Sequence, residues 1–125
     1  MAAVRPVIAV SERDVEPIDL PGGSWSRILI DSATAVDTTM TLGRSLFRTG
    51  AITRSMRHTA DEVAVVIEGA GFLILDEARM ELVAGEACYI PSGVWHAVGA
   101  GEADMTMVFG FSSPSYPPTE FRDAR

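Results

Sequence analysis

Residues 50–69 read Gly-Ala-Ile-Thr-Arg-Ser-Met-Arg-His-Thr-Ala-Asp-Glu-Val-Ala-Val-Val-Ile-Glu-Gly and hold one of the two histidines of the chain. The mostly apolar run from Glu62 to Ile67 stops just before a glycine, as expected of a strand. His58 and Glu62 stand four residues apart across Thr-Ala-Asp. A strand that turns into the next strand can bring this imidazole and carboxylate to one interior point. The stretch therefore predicts two strands with polar side chains at their junction.

Residues 85–100 form a second informative stretch, Gly-Glu-Ala-Cys-Tyr-Ile-Pro-Ser-Gly-Val-Trp-His-Ala-Val-Gly-Ala. The second histidine, His96, follows the turn signal Pro91-Ser-Gly. Two neutral imidazoles and one carboxylate from separate strands form a donor set that binds a first-row divalent metal ion. This set leaves coordination positions open for a substrate or dioxygen. We therefore predict a metal site made by His58, Glu62 and His96.

The remainder of the chain consists of short apolar runs separated by glycine and proline, a pattern typical of strands. The predicted strands are Trp25 to Ile30, Gly43 to Phe47, Glu62 to Ile67, Phe72 to Leu75, Met80 to Val83, Ala87 to Ile90, Val94 to Val98 and Met105 to Phe111. Residues 105, 107, 109 and 111 alternate with smaller or polar residues and should share one face. The pattern predicts an all-β protein, an antiparallel sandwich or small barrel of the jelly-roll type.

The composition limits the domain count and the partners. A chain of 125 residues with 47% hydrophobic and 22% charged residues fits one globular domain. The net charge of −7 argues against nucleic acid and anionic membranes as partners. Neither a signal peptide nor a membrane span is predicted, and the single cysteine agrees with a reducing compartment. We expect a cytoplasmic homodimer with a small-molecule substrate.

The two ends of the chain differ from its middle. Residues 1–19 mix charged residues with two prolines, and a Pro/Ser-rich break follows position 111. The sequence therefore predicts an N-terminal arm over residues 1–19, a β-barrel over residues 20–112 and a C-terminal tail over residues 113–125.

Both quoted stretches resemble the paired motifs of the cupin superfamily. Residues 50–69 resemble the first motif, G-x5-H-x-H-x3-E-x6-G, and residues 85–100 resemble the second, G-x5-P-x-G-x2-H-x3-N. Each motif matches at four of its five fixed positions, and the resemblance covers about residues 43–111. It implies a small cupin-type antiparallel β-barrel whose interior binds a divalent metal ion through His58, Glu62 and His96.

Two positions depart from the motifs. Met56 stands where the cupin pattern has its first histidine ligand, and Ala100 replaces the final asparagine. One interpretation makes Met56 an apolar wall of the pocket, since methionine fills irregular space well. In that case the remaining triad favours non-haem Fe(II). The other interpretation makes the thioether a fourth, soft ligand that shifts the preference toward copper. Manganese, nickel and zinc stay open as alternatives.

Four further residues are predicted to line a substrate pocket. Strand alternation places Arg54 on the same face as Met56 and His58, where its guanidinium would bind a substrate carboxylate. Arg44 and Arg48 lie an even number of positions before Arg54, so the same alternation would place them on its face. The other three candidates are Phe47 and Met107, as apolar walls, and Tyr89, as a phenol. No catalytic residue is assigned beyond the metal ligands, and Cys88 is interpreted as a small hydrophobic residue.

Three functions agree with these features. The first is a non-haem Fe(II) dioxygenase-like oxidoreductase that acts on a small, carboxylate-bearing molecule. The second keeps the ion as a Lewis acid for a non-redox isomerase, lyase or decarboxylase. The third is a non-catalytic cupin module that binds a small molecule. Because the cupin fold hosts all three, the resemblance alone does not separate them.

Overall fold

The computed structural model describes residues 5–123, which form eleven β-strands and two short 3-10 turns, with no α-helix among them. The strands are β1 (Ile18–Asp19), β2 (Trp25–Ile30), β3 (Thr41–Phe47), β4 (Ser55–His58), β5 (Glu62–Glu68), β6 (Ala70–Leu75), β7 (Ala78–Val83), β8 (Ala87–Ile90), β9 (Ala97–Ala100), β10 (Met105–Phe111) and β11 (Thr119–Arg122). The predicted all-β antiparallel fold is confirmed. No helix of the described residues is long and apolar enough to cross a membrane.

Two layers of strands enclose the interior. The first layer is a six-stranded sheet in the order β1-β2-β3-β10-β5-β8. The second combines the sheet β7-β6-β9 with the pair β11-β4. The antiparallel bridges of Ile52 with Gly99 and of Met56 with His96 connect these two parts. Adjacent layers of this kind bury their inner faces against each other, as in a jelly roll.

The central strand β10 carries the predicted alternation. Met105, Met107, Phe109 and Phe111 are all buried, and they pack with residues of both layers in one core cluster. On the neighbouring strand β3, the inward face includes Gly43, where a Cβ atom would overlap the ring of Phe109. Glycine at this position therefore allows Phe109 to lie flat along the interior wall.

Several strand positions differ from the sequence predictions. The predicted strand Val94 to Val98 begins later, as Ala97–Ala100. The turn after Pro91 extends through Trp95, so that His96 is held by a single bridge to Met56. Strands β1, β4 and β11 are not predicted, because none of them contains an apolar run.

Both ends of the described chain contact the barrel. Near the N-terminus, the Glu12 carboxylate contacts Arg27 at 3.3 Å and Arg44 at 2.7 Å. Near the C-terminus, β11 pairs with β4 in antiparallel register. The predicted division into arm, barrel and tail stays a prediction, and its residues 1–4 and 124–125 lie outside the described residues.

Candidate metal centre

Three predicted ligands converge between the two layers. His58 ends β4, His96 directly precedes β9, and Glu62 begins β5 in the opposite layer. The Glu62 Oε1 atom lies 3.4 Å from His58 Nε2 and 3.6 Å from His96 Nε2. One ligand atom from each of the three lies within 4.8 Å of the others. Both imidazoles are almost fully buried, at 4% and 2% exposure for His58 and His96.

Hydrogen bonds on the far side of each ring fix the orientation in which Nε2 faces Glu62. His96 Nδ1 donates to the carbonyl oxygen of Val94 at 2.9 Å. His58 Nδ1 lies 2.7 Å from the hydroxyl oxygen of Thr119. That hydroxyl donates its own hydrogen to the Pro117 carbonyl at 3.0 Å, so it accepts from His58. Both rings therefore use Nδ1 outward and direct Nε2 at the carboxylate.

The donor set fits a divalent ion. Two imidazole Nε2 atoms and a carboxylate oxygen face one another in a buried space. Three electron-pair donors arranged in this way repel one another unless a cation or protons lie between them. Imidazole and carboxylate ligands suit first-row divalent ions. The outward hydrogen bonds of the two histidines are of the kind that orient metal-ligating rings.

The surroundings of Glu62 favour the ionised form of its carboxyl group. Burial alone would raise the pKa of this carboxyl group. The hydrogen bonds and charges of His58 and His96 outweigh burial and lower the pKa below its ordinary value. At the pocket mouth, desolvation and the nearby charge of Glu62 raise the pKa of Tyr116 to about 12. Glu62 is therefore a carboxylate, whereas Tyr116 keeps its hydroxyl hydrogen.

The donor set lies in a narrow pocket between the two layers that is partly open to solvent. Most lining side chains are apolar; they include Leu20, Phe47, Met56, Ala64, Leu73, Ile90, Val98, Met107, Phe109 and Phe111. Phe47 and Met107 therefore lie in the wall, where the sequence placed them. The polar lining consists of the donor set, Ser26, Ser45, Thr53 and the mouth residue Tyr116, with the Cys88 thiol nearby.

Met56 lies beside the donor set. Its backbone exchanges two hydrogen bonds with His96, at 2.8 and 2.9 Å, and its side chain lines the pocket. This placement agrees with both interpretations of Met56, as a wall and as a thioether ligand. Ligation by Met56 stays a prediction.

Arg54 and Tyr89 do not lie in this pocket. Arg54 is exposed, and its guanidinium lies 5.2 Å from the centre of the Phe121 ring. The predicted alternation of inward and outward side chains does not reach Arg54, because this residue precedes β4. Within β4 the alternation is also broken, because Ser55 and His58 are both buried although they are three residues apart. Tyr89 is 60% exposed because its side chain points to the outer face of β8.

The two preceding arginines also lie away from the pocket. Arg44 pairs with Glu12, and Arg48 pairs with Asp104 at 3.0 Å. Among residues 5–123, no arginine lines the pocket, and the sequence contains no lysine. A substrate carboxylate inside the pocket would therefore meet no arginine or lysine among these residues.

Four polar residues near the site were missed by the sequence analysis. Tyr116 and Thr119 belong to the segment interpreted as a tail, and no local pattern distinguishes them. Ser26 and Ser45 occupy predicted strands. Ser45 shares the parity of Gly43 and Phe47, so a serine on the inward face of an apolar strand was a signal that could have been used.

Comparison with known proteins gives the following similarities. A family model described as a cupin domain matches residues 43–111. The chain is similar to dimethylsulfoniopropionate lyase DddW from Ruegeria pomeroyi, at 34% identity over 117 residues, covering 87% of this chain and 76% of that protein.

Two solved structures share the fold. Polyketide cyclase RemF from Streptomyces resistomycificus matches with a TM-score of 0.80 and 22% identity, covering 96% of this chain and 88% of that chain. Oxalate decarboxylase from Bacillus subtilis matches with a TM-score of 0.80 and 21% identity, covering 93% of this chain but 32% of that chain.

Proposed function

Because the chain belongs to the cupin family, we propose that it is a metal-dependent lyase that acts on a small carboxylate without a net redox change. The similarity to a dimethylsulfoniopropionate lyase over most of both chains supports this choice among the three candidate functions. Dimethylsulfoniopropionate is therefore the first compound to test.

The observation that carries the proposal is the orientation of the two histidines. Their Nδ1 atoms donate to Thr119 and Val94, which leaves both Nε2 atoms directed at Glu62. The Nε2–Oε1 distances of 3.4 and 3.6 Å are longer than charge-assisted hydrogen bonds, which are about 2.7 to 2.9 Å. This spacing favours a ligand set over a core salt bridge.

A divalent ion bound by His58, Glu62 and His96 would supply Lewis-acid polarisation of a substrate carboxylate. Because no arginine of the described residues lines the pocket, this ion would be the strongest attraction there for an anionic group. The apolar walls exclude water from the substrate, which strengthens electrostatic interactions inside the pocket. Tyr116, whose ring lies 5.7 Å from that of His58, offers a hydrogen-bond donor to a substrate oxygen.

With dimethylsulfoniopropionate, the lyase reaction is an elimination. The carbon next to the carboxylate loses a proton to a base, and a carbon–carbon double bond forms. The carbon–sulfur bond breaks with its electron pair on sulfur. The products are acrylate, dimethyl sulfide and one proton, so that no oxidant or reductant is consumed. The rings of Phe109, Phe111 and Tyr116 line the pocket, and the face of an aromatic ring attracts a cation such as the sulfonium group.

The dioxygenase expected from the sequence would use the same three ligands and differs in its need for dioxygen. The similarity to a lyase favours the non-redox reaction. A binding module would hold the ligand without turning it over. Activity under strict anaerobiosis therefore separates the lyase from the other two functions.

The test uses the full chain loaded separately with Fe²⁺, Mn²⁺, Ni²⁺, Cu²⁺ and Zn²⁺. Each form is incubated with dimethylsulfoniopropionate without oxygen, and acrylate and dimethyl sulfide are measured. We expect both products in equal amounts from at least one form and none from the Glu62→Gln variant. Oxygen-dependent consumption of the compound would favour the dioxygenase instead. Tight binding without products would favour the binding module.

A further inference from the structure

Two serine hydroxyls form a pair inside the pocket. Ser26 on β2 and Ser45 on β3 are direct cross-strand partners, and their Oγ atoms lie 2.6 Å apart. Both line the pocket, and Ser45 is only 3% exposed. Their lining neighbours include Leu20, Phe47 and Met107, which offer no conventional hydrogen-bond donor or acceptor in their side chains. The pair is therefore an isolated polar spot on an apolar wall.

The hydrogen bonds of the pair are incomplete. Two hydroxyl groups carry two hydrogens, and one of these is used between the two oxygens. In the described part of the chain, neither hydroxyl has a hydrogen bond to any third group. Thr53, the other hydroxyl of the wall, is different, because it donates to the Arg54 carbonyl and accepts from Val98 N–H. One serine hydrogen is therefore free to bind a ligand in the pocket.

The pair lies at a distance from the metal centre. Ser45 is opposite Met107 on β10, which in turn is opposite Val66 on β5. Glu62 lies four residues along β5 from Val66, on the same face. A displacement of four residues along a strand is about 13 Å. The inward side chains between the two polar spots, Ala64 and Phe109, are apolar.

The surroundings of the pair select an uncharged partner. Since no arginine of residues 5–123 lines the pocket and the chain has no lysine, a carboxylate at the serines would be buried without a counter-ion. A carbonyl or ether oxygen accepts a hydrogen bond without that penalty.

We propose that Ser26 and Ser45 form a substrate-binding subsite for a neutral hydrogen-bond acceptor on a molecule whose carboxylate lies at the metal centre. The substrate class is thus an oxo-carboxylate or a similar carboxylate with an apolar middle and an uncharged oxygen at its far end. This inference rests on the metal centre of the proposed function and names a ligand class that does not include dimethylsulfoniopropionate, because the far end of that compound is a sulfonium group without an acceptor oxygen.

The experiment measures ligand binding rather than turnover. Straight-chain carboxylates of six to nine carbons and their derivatives with a ketone next to the terminal methyl group are titrated into the metal-loaded full chain by calorimetry. We expect at least one oxo-carboxylate to bind about tenfold more tightly than its parent, the gain of one hydrogen bond in a buried site. In the Ser26→Ala/Ser45→Ala double variant this ratio should fall to about one.

Two controls separate the subsite from a structural role. The double variant replaces both partners of one hydrogen bond, so its melting temperature and metal affinity should be unchanged. Ser24→Ala is the matched variant, because the Ser24 hydroxyl accepts the backbone N–H of Arg48 at 2.9 Å and does not line the pocket. It should lower the melting temperature and leave the tenfold ratio intact.

Each outcome has a defined meaning. Equal binding of oxo-carboxylates and their parents at every length overturns the subsite, and so does a preference that survives in the double variant. Binding of neither series to the metal-loaded protein overturns both the subsite and the metal centre of the proposed function. A preference that depends on the serines, in a protein without lyase activity, supports the subsite and overturns only the proposed reaction.

Discussion

The smallest unit of the metal centre is the hydrogen-bonded series from Pro117 through Thr119 to His58. The Pro117 carbonyl takes the Thr119 hydrogen, and the Thr119 oxygen then accepts from His58 Nδ1. Replacement of Thr119 by valine keeps the shape and removes the acceptor. Because the free Nδ1–H no longer fixes the ring, we expect metal affinity to fall about 10- to 100-fold.

Titration with Mn²⁺ by calorimetry and ¹⁵N NMR of the His58 ring check this prediction. Thr119→Ser keeps the hydroxyl and should restore both the affinity and the Nδ1-protonated form. If Thr119→Val binds the ion as tightly as the original chain and keeps the same tautomer, Thr119 does not position His58.

Glu62 and His96 test the donor set directly. Glu62→Gln and His96→Ala each remove one of three ligands from a buried site. We expect both variants to lose stoichiometric metal and activity, while circular dichroism still reports a β-rich fold. Elemental analysis of protein purified without chelator or metal-affinity resin measures the loss. Full metal content in both variants would contradict the assignment.

Tyr116 tests the mouth of the pocket. Its ring contacts His58 and Phe111, with ring centres 5.7 and 5.2 Å away. Tyr116→Phe keeps the ring and removes the hydrogen-bond donor, so we expect kcat/KM for dimethylsulfoniopropionate to fall about tenfold. Cys88→Ser, on the β8 wall of the same pocket, is the matched variant and should change kcat/KM much less. If kcat/KM is unchanged in Tyr116→Phe, the Tyr116 hydroxyl does not take part in the reaction.

At the scale of elements, one carboxylate connects the end of β3 to the turn before β10. Asp104 accepts the backbone N–H of Thr49 at 2.8 Å and a guanidinium hydrogen of Arg48 at 3.0 Å. The backbone hydrogen bond from Thr49, followed by the bond and charge of Arg48, lowers the pKa of Asp104. A carboxyl group with a lowered folded-state pKa stabilises the fold above its ordinary pKa, and this contribution is lost as the pH falls through the folded value.

We therefore expect Asp104→Asn to lower the melting temperature by a few degrees at pH 7. The difference from the original chain should shrink as the pH falls below 4, where the Asp104 carboxylate becomes protonated. Thermal unfolding at a series of pH values measures both effects. Glu102→Gln, an exposed carboxylate two residues away, is the control and should show neither. If the difference in melting temperature between Asp104→Asn and the original chain does not change with pH, the loss of stability comes from packing and not from the charge of Asp104.

At the scale of the whole molecule, the donor set joins the two layers. Glu62 comes from the six-stranded sheet, whereas His58 and His96 come from the opposite layer. An ion that binds only the folded protein adds about 2.7 kcal/mol to the free energy of unfolding when its free concentration is about 100 times Kd. Thermal unfolding with and without ion should show a concentration-dependent rise in melting temperature. The same rise in Glu62→Gln would contradict binding at this site.

The outer face of the six-stranded sheet carries exposed apolar side chains, which are relevant to the expected homodimer. Val63, Ile67 and Tyr89 lie on this face and are 57%, 47% and 60% exposed. The homodimer expected from the hydrophobic composition stays a prediction. Light scattering coupled to size-exclusion chromatography measures it directly.

The amino-acid sequence by itself determined the strands that contain an apolar run and the three candidate ligands. The β2, β8 and β10 predictions match the observed bounds, because short apolar runs bounded by turn residues are visible in a short window. The ligands were recognisable because His58, Glu62 and His96 stand at motif spacing around two turns. These signals are local, and each depends on residues close together in the chain.

The tertiary structure alone decided which distant residues complete the site. Thr119 reaches His58 from 61 positions away, and Ser26 meets Ser45 across 19. Strand β4 lacks an apolar run and forms because β11 and the bridge from Met56 to His96 supply its partners. Arg54 points outward because the strand begins one residue after it. Such contacts depend on strand pairing and register, which are set by the free energy of the whole chain. They therefore produce no hydrophobic periodicity that could be recognised within a single segment of the sequence.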